Sequence, residues 1–297
     1  MRDILVLGGS NVDYLAISTN PLILKDSNIG KLVVSFGGVG RNIVENLARM
    51  GERVSFITVL GHDYSVMPLK RELKDLGVKI YSPDLDGQTS SYLAVMDNDG
   101  SLREAVCDSN LMDGITYQNM IQFRDIINKH HDIVMDANWP EDVIDQMFKN
   151  YFSHDFFVEA VSVKKVLRFR NHLSEISLFK GNLFETRSLL NMDKDARSLA
   201  QTLLDRGVKK AVITDGRNPI IFADSKTGQI SECKAIPCDN IVSVNGAGDA
   251  MFAGLIYGLR NLRTFADAVS LGNKMANKAL LCHQAVNPDV KSVLNQD

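Results

Sequence analysis

The sequence predicts an α/β protein built on a doubly wound, mostly parallel sheet flanked by helices. Two observations lead to this fold class. Short apolar runs of strand length recur along the chain, and stretches with a helical spacing of apolar residues separate many of them. Most of the runs are apolar throughout, as expected for strands that are covered on both faces. In such a sheet the ligand binds beyond the carboxyl ends of the strands.

Each expected strand is an apolar run bounded by turn or helix signals. The expected strands are Asp3–Leu7, Arg53–Val59, Asp132–Met135, Asp155–Val161, Glu175–Phe179, Lys210–Thr214 and Ile220–Ala223, with a further strand-like run at Asn240–Val244. The expected helices include Gly40–Met50, Ala196–Arg206 and Ala250–Leu259. The first of these helices has Ile43, Val44, Leu47 and Ala48 on one stripe, which is the spacing of a helix that packs on a sheet.

Two regions interrupt this alternation of strands and helices. Residues 11–36 contain no helical pattern, and residues 90–106 have the pattern of a hairpin, since strand-like runs flank Asp97-Asn98-Asp99-Gly100. An antiparallel piece attached to a parallel sheet is suited to act as a lid. We expect a single domain that spans residues 1–297.

The composition excludes several classes of function. The 297 residues are 45% hydrophobic and 23% charged, and the formal net charge of −3 gives no case for binding nucleic acid or a membrane surface. The four cysteines lack the spacing of metal ligands, no apolar run has the length of a membrane span, and the N-terminal residues do not resemble a signal peptide. We expect a cytoplasmic protein with reduced thiols that acts on a small molecule.

The run Ser243–Gly254 places Gly246 and Gly248 at the start of a helix, with Asp249 directly after them. Such a loop exposes backbone N–H groups at a helix N-terminus, which binds anions. A carboxylate beside an anion is unusual unless it accepts a proton from an attacking hydroxyl. We therefore expect phosphoryl transfer to an alcohol, with Asp249 as the base and Gly246, Ala247 and Gly248 stabilising the transferred group. The structural alternative is a plain turn with Asp249 as a helix-capping residue.

A second glycine-rich stretch, Gly37-Gly38-Val39-Gly40-Arg41-Asn42, also lies at a helix start. Together, the two stretches resemble the N-terminal and C-terminal signatures of the ribokinase-like (PfkB) carbohydrate and nucleoside kinases, with Asn245 where that family usually has Thr. The resemblance extends over nearly the whole chain and is greatest to the bacterial pseudouridine kinases. It implies the α/β fold described above, with a small β-lid, formed by roughly residues 11–36 and 88–108, over the acceptor site.

The resemblance implies a set of residues that hold the acceptor, in addition to the base Asp249. They lie after the first strand, after the Asp132–Met135 strand, in the Gly37–Asn42 stretch, and in or next to the lid. They are Asn11, Asp13, Gly37, Gly38, Asn42, Ser90, Ser91, Tyr92, Asp108, Asn110 and Asn138. The lid residues would read the base of a nucleoside, because Ser and Asn supply both donors and acceptors. Without the resemblance, Asn11 and Asp13 belong to an ordinary turn, and Asn42 is a capping residue.

ATP and Mg²⁺ are the implied cofactors, and a monovalent cation such as K⁺ is an open requirement. The implied nucleotide-binding residues are Lys180, Asn182, Thr214, Gly216, Gly246, Gly248 and Asn277, and Glu185 would hold Mg²⁺ through water. The chain departs from the family pattern at Gly181, Leu183, Pro219 and the Glu159-Ala160 pair. The departure at Pro219 leaves the nucleotide preference open.

The reaction expected from this resemblance is phosphorylation of the ribose 5′-hydroxyl of pseudouridine by ATP. Two alternatives stay open: a kinase for another nucleoside or sugar, such as ribose, uridine or adenosine, and a ligand sensor without catalytic activity. Lids of this family often pair across a homodimer, so the resemblance also implies a homodimer formed through the lid.

Overall fold

The computed structural model describes residues 3–261 and 264–295. The strands are β1 (Ile4–Leu7), β2 (Asn11–Ser18), β3 (Gly30–Gly37), β4 (Val54–Ile57), β5 (Lys79–Tyr81), β6 (Ser91–Met96), β7 (Leu102–Asp108), β8 (Asp132–Asp136), β9 (Asp155–Glu159), β10 (Ile176–Asn182), β11 (Lys210–Thr214), β12 (Ile220–Asp224) and β13 (Gln229–Cys233).

The helices lie mostly between successive strands of the main sheet. They are α1 (Val39–Arg49), α2 (Val66–Asp75), α3 (Asn110–Asp113), α4 (Tyr117–Met120), α5 (Arg124–Asn128), α6 (Glu141–Asn150), α7 (Leu183–Leu190), α8 (Ala196–Asp205), α9 (Ala247–Arg260) and α10 (Phe265–Leu280). Short 3-10 helices cover Ile121–Phe123, Lys165–Phe169, Leu173–Glu175 and Val290–Asn295. Across residues 3–261 and 264–295, none of the helices is both long enough and apolar enough to cross a membrane.

The main sheet has nine strands in the order β13-β12-β11-β10-β9-β8-β1-β4-β5. Its strands pair in parallel from β5 to β11, whereas β12 and β13 add an antiparallel edge. This confirms the predicted mostly parallel sheet and the strands predicted within it. The sequence did not predict β5 and β13, which are short edge strands with several partly exposed residues.

Apolar layers cover both faces of this sheet. Along β1, Leu5 and Leu7 pack into the cluster that contains Trp139 and α6, whereas Ile4 and Val6 pack into the cluster that contains α1 and α9. All four side chains are fully buried. This two-sided burial explains why the strand runs are apolar throughout instead of alternating.

A second, smaller sheet has the strand order β3-β2-β6-β7. The predicted hairpin is present as β6 and β7, joined by residues 97–101, and β2 pairs antiparallel with β3. The two antiparallel pairs are joined by a parallel pairing of β2 with β6, so this sheet is mixed. That it closes over a ligand as a lid stays a prediction.

The expected strand at Asn240–Val244 is wrong. These residues form an irregular segment, and the backbone N–H groups of Val242 and Ser243 donate to the carbonyl oxygen of Leu280 instead of to a strand. The side chains of Ile241, Val242 and Val244 are 41%, 43% and 69% exposed. The segment is thus bonded to the end of α10 and lies outside the main sheet, whose edge strand on this side of the chain order is β13.

Candidate active site

The two glycine motifs meet where α1 and α9 begin. Gly38 is the N-cap residue of α1, and Gly246 is the N-cap residue of α9. The side-chain amide of Asn42 donates to Oδ2 of Asp249 at 2.8 Å, and both residues are buried. The N-cap residue of α9 is Gly246, with no side-chain capping hydrogen bond, so Asp249 is not the capping residue of its helix. Residues distant in sequence are thereby joined in one buried contact.

Close packing of glycines brings α1 against the end of β1. A Cβ atom added to Gly40 would lie 2.5 Å from Cα of Gly8. Real Cβ atoms do not approach a backbone so closely, so only glycine allows the helix and the strand this contact. The packing sets the depth at which α1 carries Asn42 towards Asp249.

Burial makes Asp249 an unusual carboxylate. Its removal from water raises its pKa to about 7, with help from the negative charges of Glu159 and Asp136, while the Asn42 hydrogen bond and the Lys180 charge oppose the rise. A general base acts best when its pKa lies near the working pH. The carboxylate is therefore suited to accept a proton near neutrality.

The turn before α9 is rigid because its backbone is confined. Gly246 has a φ of 76°, and a Cβ atom on it would lie 1.8 Å from the carbonyl oxygen of Ala285. The N–H groups that follow are at the N-terminus of a 14-residue helix. Such N–H groups and the helix dipole favour an anion at this position.

Lys180 lies within the last part of β10, next to this turn. Its ammonium group donates to Oε1 of Glu159 at 2.7 Å, with both side chains at most 6% exposed. A Cβ atom on Gly248 would lie 2.8 Å from the Lys180 Nζ. Burial lowers the pKa of Lys180, but the carboxylates of Glu159, Glu185 and Asp249 outweigh it and raise the pKa overall.

The expected acceptor residues Asn11, Asp13, Gly37 and Gly38 meet where the second sheet joins α1. Asn11 pairs in register with Gly37, and its side-chain amide donates to Asp13. A Cβ atom on Gly37 would lie within 3 Å of the Asp13 carboxylate, and one on Gly38 would lie within 3 Å of Oδ1 of Asn11. Burial raises the pKa of Asp13 to about 6, against the positive charge of Arg41 and the hydrogen bond from Asn11.

Asn138 is held beside the end of β1. The backbone N–H groups of Gly9 and Asn138 donate to the two oxygens of Asp136 at 2.9 Å each. Lys165 donates from its ammonium group to Oδ1 of Asn138 at 2.7 Å. The expected acceptor residue Asn138 is therefore fixed on both its backbone and its side chain.

The residues expected on the lid are spread along β6, β7 and the start of α3. Tyr92 pairs in register with Asp13, so the two side chains share one face of the second sheet. Ser91 pairs with Asp108, and the carbonyl of Ser90 accepts from the N–H of Val12. Asn110 begins α3, and its backbone N–H donates to Asp108.

Asn182 and Glu185 form a reciprocal cap at the start of α7. Oδ1 of Asn182 accepts from the N–H of Glu185 at 2.9 Å, and Oε2 of Glu185 accepts from the N–H of Asn182 at 2.7 Å. This capping box explains their three-residue spacing in structural terms. Burial and the charge of Glu159 raise the pKa of Glu185.

The remaining expected nucleotide residues lie near the antiparallel edge of the main sheet and on α10. Thr214 ends β11 and pairs in register with Asn182, and Gly216 turns the chain with a φ of 57°. The side-chain amide of Asn277 donates to the carbonyls of Ile236 and Pro237 at 3.3 Å each. Asn277 is therefore bound to the segment that precedes the glycine turn.

Sequence reasoning missed the electrostatic roles of Asp136 and Glu159. Each ends an apolar strand at the carboxyl edge of the sheet, and the two residues pair in register between β8 and β9. Both are buried. A carboxylate at the end of each of two adjacent apolar strands was the available signal, since carboxyl ends of parallel strands meet at one edge.

Comparison with known proteins identifies the family. The profile of the pfkB family carbohydrate kinases matches residues 1–292. The chain belongs to this family. It is 30% identical to the pseudouridine kinase of Escherichia coli (strain K12), over 97% of this chain and 93% of that protein. The predicted family is thereby confirmed, and the chain is a carbohydrate or nucleoside kinase.

Solved structures share the fold of this kinase. A carbohydrate kinase from Agrobacterium tumefaciens, 25% identical, superposes with a TM-score of 0.87 over 99% of this chain and 97% of the other. Ribokinase from Thermotoga maritima, 15% identical, superposes with a TM-score of 0.85 over the whole of both chains. The predicted ribokinase-like fold class is confirmed.

Substitution of Gly246 tests whether the turn before α9 requires a residue without a side chain. Gly246→Ala should lower the free energy of unfolding by more than the roughly 1–3 kcal/mol of a strained φ, because its Cβ atom also meets the Ala285 carbonyl. Gly77→Ala is the matched control, since Gly77 has a φ of 79° with open space around it. Urea unfolding of both variants measures the difference. Equal losses would show that contact with Ala285 is unimportant.

Proposed function

We propose that this kinase transfers the γ-phosphoryl group of ATP to the ribose 5′-hydroxyl of pseudouridine, giving pseudouridine 5′-phosphate, with Asp249 as the general base. The observation that carries the proposal is the buried Asp249, hydrogen-bonded to Asn42, with a pKa raised to about 7 at the start of α9. The 30% sequence identity to a pseudouridine kinase, over nearly the full length of both chains, supports this acceptor.

Binding of the acceptor begins at the junction of the second sheet with α1. Asn11, Asp13 and Asn42 bind the ribose hydroxyls, since amides and carboxylates match hydroxyl donors and acceptors. Gly37 and Gly38 let the sugar approach the backbone closely. Ser90, Tyr92 and Asn110 of the lid, together with Asn138, contact the base, and closure of the lid excludes water from the reacting atoms.

Asp249 accepts the proton of the 5′-hydroxyl as the oxygen attacks the γ-phosphorus atom. Asn42 holds Oδ2 of Asp249 at 2.8 Å, which fixes the carboxylate and leaves its other oxygen to take the proton. The N–H groups of Gly246, Ala247 and Gly248 stabilise the negative charge that develops on the transferred group. Lys180 adds a positive charge beside this turn.

Kinases of this family generally use ATP with Mg²⁺, and the residues around Asp249 fit such an ion. Asp136, Glu159, Glu185 and Asp249 interact electrostatically around Lys180, an arrangement with more negative than positive charge. Carboxylates are ligands that Mg²⁺ accepts, often through water, and Glu185 is the residue that would hold it. The ion would neutralise charge on the phosphates. Asn182, Thr214, Gly216 and Asn277 complete the nucleotide side.

The Asp249→Asn variant and a panel of acceptors test this function together. In a coupled ADP-release assay with Mg-ATP, turnover on pseudouridine should clearly exceed turnover on uridine, ribose, adenosine and fructose 6-phosphate. Asp249→Asn should lower kcat by roughly 10²- to 10⁴-fold, because the proton acceptor is lost, with little change in nucleoside affinity.

Each other result of that assay has a definite meaning. Preference for another acceptor would keep the kinase chemistry and discard pseudouridine. Nucleoside binding without turnover on any acceptor would favour the ligand sensor. Near-normal turnover by Asp249→Asn would contradict the assignment of the base.

The pH dependence follows from the two raised carboxyl pKa values. Asp249 must be ionised to accept a proton, so kcat/KM for the acceptor should rise with pH and level off above its pKa of about 7. Protonation of Asp13, with a pKa of about 6, would steepen the fall at lower pH. Asp13→Asn should lower kcat/KM at every pH, because Asp13 binds the ribose, and should also remove that steeper part. A profile that is flat between about pH 5 and pH 8 would exclude Asp249 as the titrating base.

We also propose that two copies associate through the second sheet. Val34, Tyr14, Leu93 and Val106 lie in register across its four strands, and therefore on one face. Val34, Leu93 and Val106 are 50%, 42% and 66% exposed. A contiguous exposed apolar row of this kind marks an interaction surface.

Substitution of this row tests the association. Light scattering after size exclusion should give a dimer for the wild-type chain and a monomer for Leu93→Glu/Val106→Glu, because two buried charges oppose the contact. Phe152→Glu is the control, since Phe152 is 82% exposed and lies outside the second sheet. A wild-type monomer, or a double variant that remains a dimer, would contradict this surface.

A further inference from the structure

Lys180 is a buried cation with more than one carboxylate within electrostatic reach. The charges of Glu159, Glu185 and Asp249 all raise its pKa, and its Nζ lies beside Gly248, the residue next to Asp249. A buried ammonium group requires a partner. If Lys180 paired with Asp249, the lysine would hold the oxygen that has to accept the proton. The site therefore needs a device that keeps the two groups apart.

Glu159 has the position and the bonding of such a device. Its Oε1 takes the hydrogen bond from Lys180 at 2.7 Å, and its Oε2 accepts from the N–H of Val161 at 2.6 Å. Both carboxylate oxygens are thus committed, and the side chain is 5% exposed. A carboxylate held at both oxygens in a buried place cannot turn away from the lysine without losing a bond.

The backbone after Glu159 is strained in the conformation that lets the Val161 N–H group bond to the Glu159 carboxylate. Val161 has a φ of 65°, a conformation that a β-branched residue rarely adopts. Its N–H points to the Glu159 carboxylate in that conformation. Strain of this kind persists where the surrounding structure enforces it and is concentrated at functional sites. The strained turn is an observation independent of the ion pair, and it acts on the same carboxylate.

We propose that Glu159 is a positioning residue of the phosphoryl transfer: it holds the Lys180 ammonium group away from Asp249, so that the Asp249 carboxylate stays free to act as the base. The inference rests on the proposed function, because it assigns Glu159 a task in the reaction of Asp249. Among the described residues, the Glu159 carboxylate bonds to Lys180 and to the Val161 N–H group, and it acts on Asp249 through Lys180.

The groups around Asp249 determine the sign of the test. Asn42 and, behind it, Arg41 face it from α1, Asp136 from β8, Glu159 from β9, and Lys180 from β10, with Glu185 of α7 beyond Lys180. Loss of the Glu159 charge lowers the Asp249 pKa directly. Release of Lys180 towards Asp249 lowers it further. Both effects move the acidic limb of the pH profile to lower pH.

The experiment compares Glu159→Gln, Lys180→Met, the double variant and the wild-type chain. Glu159→Gln keeps an acceptor for the Val161 N–H and removes the charge. Its acidic limb of kcat/KM should move to lower pH by about one unit, and its kcat should fall roughly tenfold, with the KM for the acceptor nearly unchanged. In the Lys180→Met background, Glu159→Gln should lower kcat no further, since the competing ammonium group is gone.

Asp155→Asn is the matched control, because Asp155 begins the strand that Glu159 ends, and its carboxylate binds Lys209 at the opposite edge of the sheet. It should retain the wild-type limb and kcat. An unmoved or raised limb in Glu159→Gln, or equal losses of kcat in both backgrounds, would overturn the proposal. If Glu159→Gln does not fold, Glu159→Asp decides: its shorter side chain keeps the charge but loosens the hold on Lys180, so kcat should fall, and a wild-type kcat would overturn the proposal.

A titration without turnover separates this inference from the proposed function. Carbon-13 NMR of the labelled Asp249 carboxyl group follows its ionisation in the wild-type chain and in Glu159→Gln, whether or not an acceptor is phosphorylated. Wild-type protein that phosphorylates nothing would refute the proposed function. An Asp249 resonance that titrates identically in both proteins would refute the part proposed for Glu159, even in an active kinase.

Discussion

The hydrogen bond from Asn42 to Asp249 is the contact on which the arrangement of this site depends. It joins α1, which follows the second sheet, to α9, which lies near the C-terminal end of the fold. Each helix begins at a glycine turn, and each turn faces the region beyond the carboxyl ends of the central strands. The proposed acceptor side and the proposed phosphate side therefore meet at a single buried pair. Once α1 and α9 pack in this way, the orientation of the Asp249 carboxylate follows.

Charge is the second organising constraint, because several carboxylates are buried around Lys180 and Asp249. Burial of a carboxylate favours its protonated form, and this effect is the largest cause of the raised pKa values of Asp13, Asp136, Glu185 and Asp249. The buried carboxylates differ in their hydrogen-bond partners. Asp136 is occupied by two backbone N–H groups, Glu159 by a lysine and a backbone N–H, and Asp249 by a side-chain amide. The three carboxylates thus differ in how many of their oxygens are already bonded.

The sequence predicted the main sheet well because its central strands are buried on both faces, and such strands are recognisable as apolar runs. It failed at Asn240–Val244, where the same composition occurs in an exposed segment, since composition does not reveal whether a neighbour is present. The glycine motifs predicted Asn42 and Asp249, but not the bond between them. The proximity of Asp136 and Glu159 follows from the pairing of β8 with β9. The carboxylates at the two strand ends are visible in the sequence, but their contacts with Lys180 and Asp249 depend on the order of strands in the sheet.

The contact between Gly8 and Gly40 has a consequence for how this scaffold can vary. Any side chain at either position would separate α1 from β1, and Asn42 would move outward with the helix. The distance between the Asn42 amide and the Asp249 carboxylate thus depends on the missing side chains of Gly8 and Gly40, two residues outside the proposed binding set. Directed evolution towards a new acceptor would therefore be blocked at these two glycines, which inspection of the proposed binding residues would not single out.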